Sequence, residues 1–139
     1  MGIGNWEFQA AAFQRPADDG MTRHVMIVNL RNDAATIASY RAHHQRVWPE
    51  VIESLRNAGV KRMDIHMLDR TVVMVVDLED DADIDAVFRK HQASSLRVAE
   101  WERLMKAMQE PSPGARLGEW WAAMEPVFQL TETEPAVTS

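Results

Sequence analysis

In SYRAHHQRVWPEVIESL, residues 39–55, a histidine stands in the middle of an apolar stripe. At helical spacing Ile37, Tyr40, His44, Trp48, Val51 and Leu55 fall on one side, in steps of three and four. A histidine so placed is either a core group bonded to backbone or a group with chemistry to do. Tyr40 lies one turn before it and Trp48 one turn after, so the three side chains are expected to project together. Imidazole titrates near neutral pH, a phenol hydrogen-bonds, and an indole covers the apolar face of a sugar. Such a set suits a small polar ligand. Further on, Trp101 and Glu102 put an indole beside a carboxylate, which can cover C–H surface and accept from hydroxyls. Val98, Trp101, Met105 and Met108 also make an ordinary core stripe.

Other chemistries find little support. His43 sits about 100° round the helix from His44, so the pair cannot chelate one metal. There is no HExxH, no cysteine of any kind and no carboxylate cluster, hence no expected metal site and no thiolate nucleophile. Ser39 is five residues from His44, no GxSxG elbow occurs, and no glycine-rich phosphate loop is present. His24, His66 and His91 read mainly as structural or exposed, with His66 set apart because it shares a strand face with Asp64. A net charge of −6 argues against nucleic acid, and no apolar run approaches the ~18 residues of a membrane span.

The elements that must position these residues follow from pattern and punctuation. HVMIVNL (24–30) is a β-favouring run, and Asn32 or Asp33 can cap the helix after it. That helix is predicted to reach about Arg46, bend near Val47-Trp48, resume at Pro49 and stop at Gly59. KRMDIHML (61–68) alternates, placing Met63, Ile65 and Met67 on one face and Asp64 and His66 on the other. Asp69-Arg70 turns it into TVVMVVDLE (71–79). Helix is predicted from about Ala82 to Gln109 with a break near HQASS (91–95). EPSPGARLG (110–118) is a loop, and EWWAAMEPVFQL (119–130) is predicted as a closing strand whose Pro126 marks an edge or bulge. Trp120 and Trp121, adjacent in that strand, would face opposite sides, one to the core and one to an interface.

The order β-α-β-β-α-β is that of a ferredoxin-like α+β fold. Several strands are apolar on both faces while the helices cover one, so two sheets packed face to face as a homodimer are expected. The 139 residues favour one domain over residues 21–130. Residues 1–20 lack the basic start and apolar core of a signal peptide and read as an N-terminal extension. Residues 131–139 read as a polar tail, and a cytoplasmic setting is the default.

YRAHHQRVWPEVIESLRNAGV resembles the signature of the L-rhamnose mutarotase family, through Tyr40, His44, Trp48, Pro49, Glu50 and Gly59. The resemblance runs through MDIHMLD, the Trp101 helix and WWAAMEPVFQL, spanning roughly residues 21 to 130. It implies a small dimeric α/β-barrel enzyme that interconverts anomers of 6-deoxy-L-sugars, with no cofactor. It also implies His44 as the catalytic proton donor and Tyr40 as a sugar contact. The family's second sugar-contacting tyrosine falls on Met63, and its tryptophan pair on Trp101 followed by Glu102; both are departures. VAEWERLM and the following QEP are similar to the branch associated with L-fucose, which is expected ahead of L-rhamnose. Two other readings share the fold or the ligand: a cofactor-free monooxygenase of the dimeric α/β-barrel kind, and a noncatalytic sugar-binding module.

Overall fold

A computed structural model of the chain describes the backbone of Arg15–Pro16 and all of residues 20–130. The expected extension (1–20) and tail (131–139) otherwise lie outside the described residues. The elements run β1 (Arg15–Pro16), β2 (Met21–Leu30), α1 (Ala34–His44), α2 (Pro49–Ala58), β3 (Val60–Leu68) and β4 (Thr71–Glu79). They continue with α3 (Ile84–Gln92), α4 (Leu96–Met108), β5 (Gln109–Glu110) and β6 (Ala122–Ala123).

The sheet is antiparallel, with β4 between β2 and β3 and the short strands on the far edge of β2. Strand alternation sets its two faces. On β2 the even positions from Thr22 to Leu30 are buried beneath the helices; the odd positions Val25, Ile27 and Asn29 are half-buried on the other face. Cross-strand register continues both faces, pairing Met26 with Met74 and Ile65 on one and Ile27 with Val73 and His66 on the other. The core therefore lies between the helices and one sheet face, around Met26, Val28, Val72, Val76, Phe88 and Trp101.

The helical break comes sooner than predicted. α1 stops at His44, where the C-cap Gln45 amide donates back to the Ala42 carbonyl and the Arg46 amide to that of His43. Trp48 is extended (φ −61°, ψ 136°) because the ring of Pro49 disfavours helical backbone in the residue before it. Pro49 then opens α2, and Gly59 closes it at φ 116°, in the left-handed region where a side chain is costly. Asp33 is the N-cap residue of α1, but its carboxylate accepts from the Thr36 hydroxyl at 2.6 Å and caps no backbone amide.

The closing strand is the main correction. Of residues 119–130 only Ala122–Ala123 is strand, paired with Ile27 and Met26. The edge of β2 is already taken at both ends, by β1 at Thr22–Arg23 and by β5 at Asn29–Leu30. Of the five positions left between them, His24 to Val28, β6 pairs with two, and Pro126 has no amide hydrogen with which to extend the ladder. Trp120 and Trp121 precede β6, so they do not alternate as strand neighbours do.

Candidate functional site

Side chains of the four helices and of β3 and β4 line a cavity of about 540 Å³. That lies within the roughly 300–1,000 Å³ usual for small-molecule sites. Its wall is largely apolar, with Met63 and Ile65 of β3 and Met74 of β4 forming the floor. Eight polar side chains are in its lining: Tyr40 and His44 from α1, His91 and Gln92 from α3, Glu102, Arg103 and Lys106 from α4, and Gln109 from β5.

Tyr40 and His44, one turn apart, sit with ring centroids 4.3 Å apart. His44 Nδ1 is 2.9 Å from the Tyr40 carbonyl, which can only accept. Nδ1 therefore carries a hydrogen, and Nε2 is the atom left for other work. Burial pushes the His44 pKa below its ordinary value; the carbonyl bond opposes that, and His43 adds a smaller downward push. Burial also raises the Tyr40 phenol to about 12, so it keeps its proton at neutral pH. The Tyr40 oxygen accepts from Gln109 Nε2 at 3.3 Å, while Gln109 Oε1 accepts from the Trp120 indole at 2.9 Å.

Trp101 is 4% exposed and stands edge-on to His44, with centroids 5.6 Å apart. It forms part of the wall and also fixes the imidazole from the side. Glu102 follows it on the half-buried flank of α4, and its Oε2 lies 3.2 Å from His91 Nε2. The five residues singled out in the sequence, Tyr40, His44, Met63, Trp101 and Glu102, thus all line one cavity.

Trp48 does not belong with them. It is outside the lining, 5.1 Å from Trp101 by ring centroids, with the Arg97 guanidinium 3.5 Å above its own ring. The reason is the end of α1 at His44: Trp48 lies beyond the break and does not extend the Tyr40–His44 row by one turn. His43 turns away as the helical period requires, its Nδ1 2.8 Å from the Ser39 carbonyl. His66 is exposed on the opposite sheet face with Asp64, away from the cavity. Trp120 and Trp121, expected to part between core and interface, both line the cavity.

Two site residues escaped the sequence reading. His91, read as structural or exposed, is buried in the cavity wall, and a signal for that was present: Ile84, Val87, Phe88 and His91 follow helical spacing and all are buried. Gln109 carried a weaker one, a polar residue directly after the apolar end of α4 that becomes buried in β5. Among the described residues no group of three or more His, Cys, Asp or Glu side chains is placed to hold a metal ion. No helix among them is long and apolar enough to cross a membrane.

Comparison with known proteins adds a family. The L-rhamnose mutarotase family model matches residues 23–130. An L-fucose mutarotase of Xanthomonas campestris pv. campestris is 35% identical over 114 residues, spanning 81% of this chain and 90% of the relative. A UPF0734 protein of Dictyostelium discoideum is 33% identical over 110 residues, 77% of this chain and 88% of its own. Among solved structures, an L-rhamnose mutarotase from Formosa agariphila matches with a TM-score of 0.55 at 19% identity, over 78% of this chain and 98% of that one. Tetracenomycin F2 cyclase from Streptomyces glaucescens, a type-II polyketide cyclase, matches at 0.50 and 15% identity, over 80% and 98% of the two chains. The two structural likenesses confirm the ferredoxin-like α+β fold. With a family model matched across the helical motif, the sheet and the cavity wall, the chain belongs to the L-rhamnose mutarotase family.

Proposed function

We propose that the protein exchanges the α and β anomers of a 6-deoxy-L-sugar, L-fucose ahead of L-rhamnose, in the cavity between α1, α4 and β3. The observation that carries this reading is the convergence of His44, Tyr40 and Glu102 on one largely apolar cavity beside Trp101. Exchange of anomers needs only proton movement. The ring oxygen must gain a proton while the anomeric hydroxyl loses one; the open aldehyde then recloses on either face of C1.

His44 serves the ring oxygen. Its Nδ1–H is committed to the Tyr40 carbonyl, so Nε2 faces the sugar. A burial-lowered pKa makes its imidazolium a readier proton donor, and the neutral ring takes the proton back on closure. Tyr40 keeps its O–H and can donate it to a sugar hydroxyl, since its oxygen already accepts from Gln109. Met63 and the edge of Trp101 cover the apolar side of the pyranose, and Glu102 accepts from a hydroxyl. None of these steps calls for a cofactor.

Preference for L-fucose is supported by the carboxylate of Glu102 and the thioether of Met63, where the resemblance places an indole and a phenol in rhamnose enzymes. The working unit in this reading is a cytoplasmic homodimer. Among the described residues no helix covers the other sheet face, where Val25, Ile27, Val73 and Val75 are half-buried, and a second copy of that face would cover them.

NMR saturation transfer between the anomeric protons of each sugar, with and without protein, tests the activity. Accelerated exchange with L-fucose or L-rhamnose is expected; unaccelerated exchange for both rejects it. For specificity, Met63→Tyr is expected to raise kcat/KM for L-rhamnose relative to L-fucose by about 1–3 kcal/mol of discrimination. An unchanged ratio would remove Met63 from substrate selection.

A further inference from the structure

His91 is a titratable group of the cavity wall to which anomer exchange, as described above, assigns no task. It is 2% exposed, and both ring nitrogens are engaged. Nδ1 lies 2.8 Å from Ser54 Oγ on α2, and Nε2 lies 3.2 Å from Glu102 Oε2 on α4. Ser54 Oγ is in turn 2.8 Å from Ser94 Oγ. Ser94 donates to the His91 carbonyl at 2.8 Å, a better bond than the 3.4 Å approach of Ser54 to the same oxygen.

The direction of this chain follows from its end. A carbonyl only accepts, so the Ser94 hydrogen is committed to it and the Ser54 hydrogen to Ser94. The hydrogen between Ser54 and His91 is then the imidazole's own, on Nδ1. One proton is left for the line from His91 Nε2 to Glu102 Oε2. On nitrogen it gives an imidazolium–carboxylate pair; on oxygen it gives a neutral pair. In both states Glu102 Oε1 has lone pairs and no hydrogen. Glu102 lines the cavity, and its Oε1 can take a proton directly in the carboxylate state, or in the neutral pair as the Oε2 proton passes to His91 Nε2.

We propose that His91, backed by Ser54 and Ser94, is a positioning residue that holds Glu102 as the base for the anomeric hydroxyl while His44 serves the ring oxygen. This rests on the anomer-exchange reading and divides its labour. In ring opening the C1–O5 bond breaks, its electron pair goes to O5, and O5 takes the proton from His44 Nε2. The O1–H bond gives its proton to Glu102 Oε1 and its electrons to the new C1=O1 double bond. Closure on the opposite face runs each transfer backwards, so both groups end as they began. Three helices contribute to aiming one carboxylate. A histidine that only filled space would need no such directed chain.

Anomer-exchange kinetics of wild type, Glu102→Gln, His91→Leu, His91→Gln and Ser54→Ala at varied L-fucose separate the roles. Glu102→Gln keeps shape and hydrogen-bonding capacity but cannot take the proton; kcat is expected to fall about 10²-fold or more with KM within about threefold. Full kcat with a raised KM would overturn the proposal and leave Glu102 as a binding group. His91→Leu is expected to lower kcat about 10- to 100-fold, and His91→Gln, which retains an N–H for Glu102, to recover most of it. Equal kcat per folded molecule in all His91 variants, with only melting temperature altered, would overturn the proposal.

Should His91→Leu fail to fold, Ser54→Ala is the gentler variant; an unchanged kcat there overturns the proposal as well. In wild-type protein ¹⁵N-imidazole NMR at neutral pH is expected to find His91 Nδ1 protonated, and a bare Nδ1 contradicts the chain. No exchange by wild type on any 6-deoxy sugar overturns the activity itself and is seen before any variant is made. Exchange by wild type with full kcat in Glu102→Gln removes this proposal alone.

Discussion

A half-buried histidine and a buried one differ in how their nitrogens are used. His44 has one nitrogen tied to backbone and one left over a cavity. His24, on the buried face of β2, has an Nε2 with no hydrogen-bond partner among the described residues. Burial pushes the His24 pKa below its ordinary 6.5, against smaller upward pulls from Asp77 and Asp83. Its pKa is therefore lower folded than unfolded. Between the two values the unfolded chain binds more protons, so stability is full above about 6.5 and is lost as pH falls through that window. Replacing it, as His24→Leu, is expected to raise stability at neutral pH by about 1 kcal/mol by removing an unpaired buried polar atom. It is also expected to flatten the loss below pH 6.5. Urea titrations at neutral and mildly acid pH read both; an unchanged acid slope would clear His24 of that role. Of the site residues, those on the first-helix stripe and on the Trp101 turn were legible, because helical spacing alone places them. His91 shows why legibility stops there: its spacing gave burial, but its partners Ser54 and Glu102 come from two other helices.

At the scale of elements, local chemistry proved a good guide wherever one residue dictates backbone. Pro49 and Gly59 delimit α2 as their ring and missing side chain require. Ser95 and Asp83 cap α4 and α3, each side chain accepting from an amide three residues on. Alternation gave β3 and β4 to within a residue. Local chemistry could not give the end of the chain, where EWWAAMEPVFQL has strand composition but competes for an edge held at both ends by β1 and β5. Which segment wins that edge is a tertiary question. The Gly59 cap offers a clean test. A Cβ there would meet Val87 Cγ2 at 3.7 Å, an ordinary contact, so the cost of Gly59→Ala is conformational. A loss of about 1–2 kcal/mol is expected in a denaturant titration. A neutral result would mean that α2 ends by other means.

Taken over the described residues, the molecule is one-sided. Helices seal one sheet face; Val25, Ile27, Val73 and Val75 stay half-exposed on the other, beside an Arg23–Asp77 ion pair with an Arg Nε to Asp Oδ1 distance of 2.8 Å. Val127, Phe128 and Leu130 add exposed apolar side chains beyond β6. A chain of 15.8 kDa with that face is expected to sediment at twice its mass. Ile27→Asp, which buries a charge in the expected contact, is expected to give the monomer. A wild-type monomer at micromolar concentration would contradict the pairing. Strands apolar on both faces were legible, and Val25, Ile27, Val73 and Val75 do lie on the face away from the core, whereas what covers that face depends on surfaces that no periodicity encodes.

The central claim is that the free nitrogen of His44 passes protons to a sugar held against Trp101 and Glu102. It is tested most directly by saturation transfer between the two anomeric protons of L-fucose, comparing wild type with His44→Asn. Asparagine keeps a polar group of similar reach but has no titratable nitrogen. The exchange rate per molecule is expected to fall about 10²- to 10⁴-fold in the variant while its fold is retained. Equal rates in the two proteins would contradict the claim.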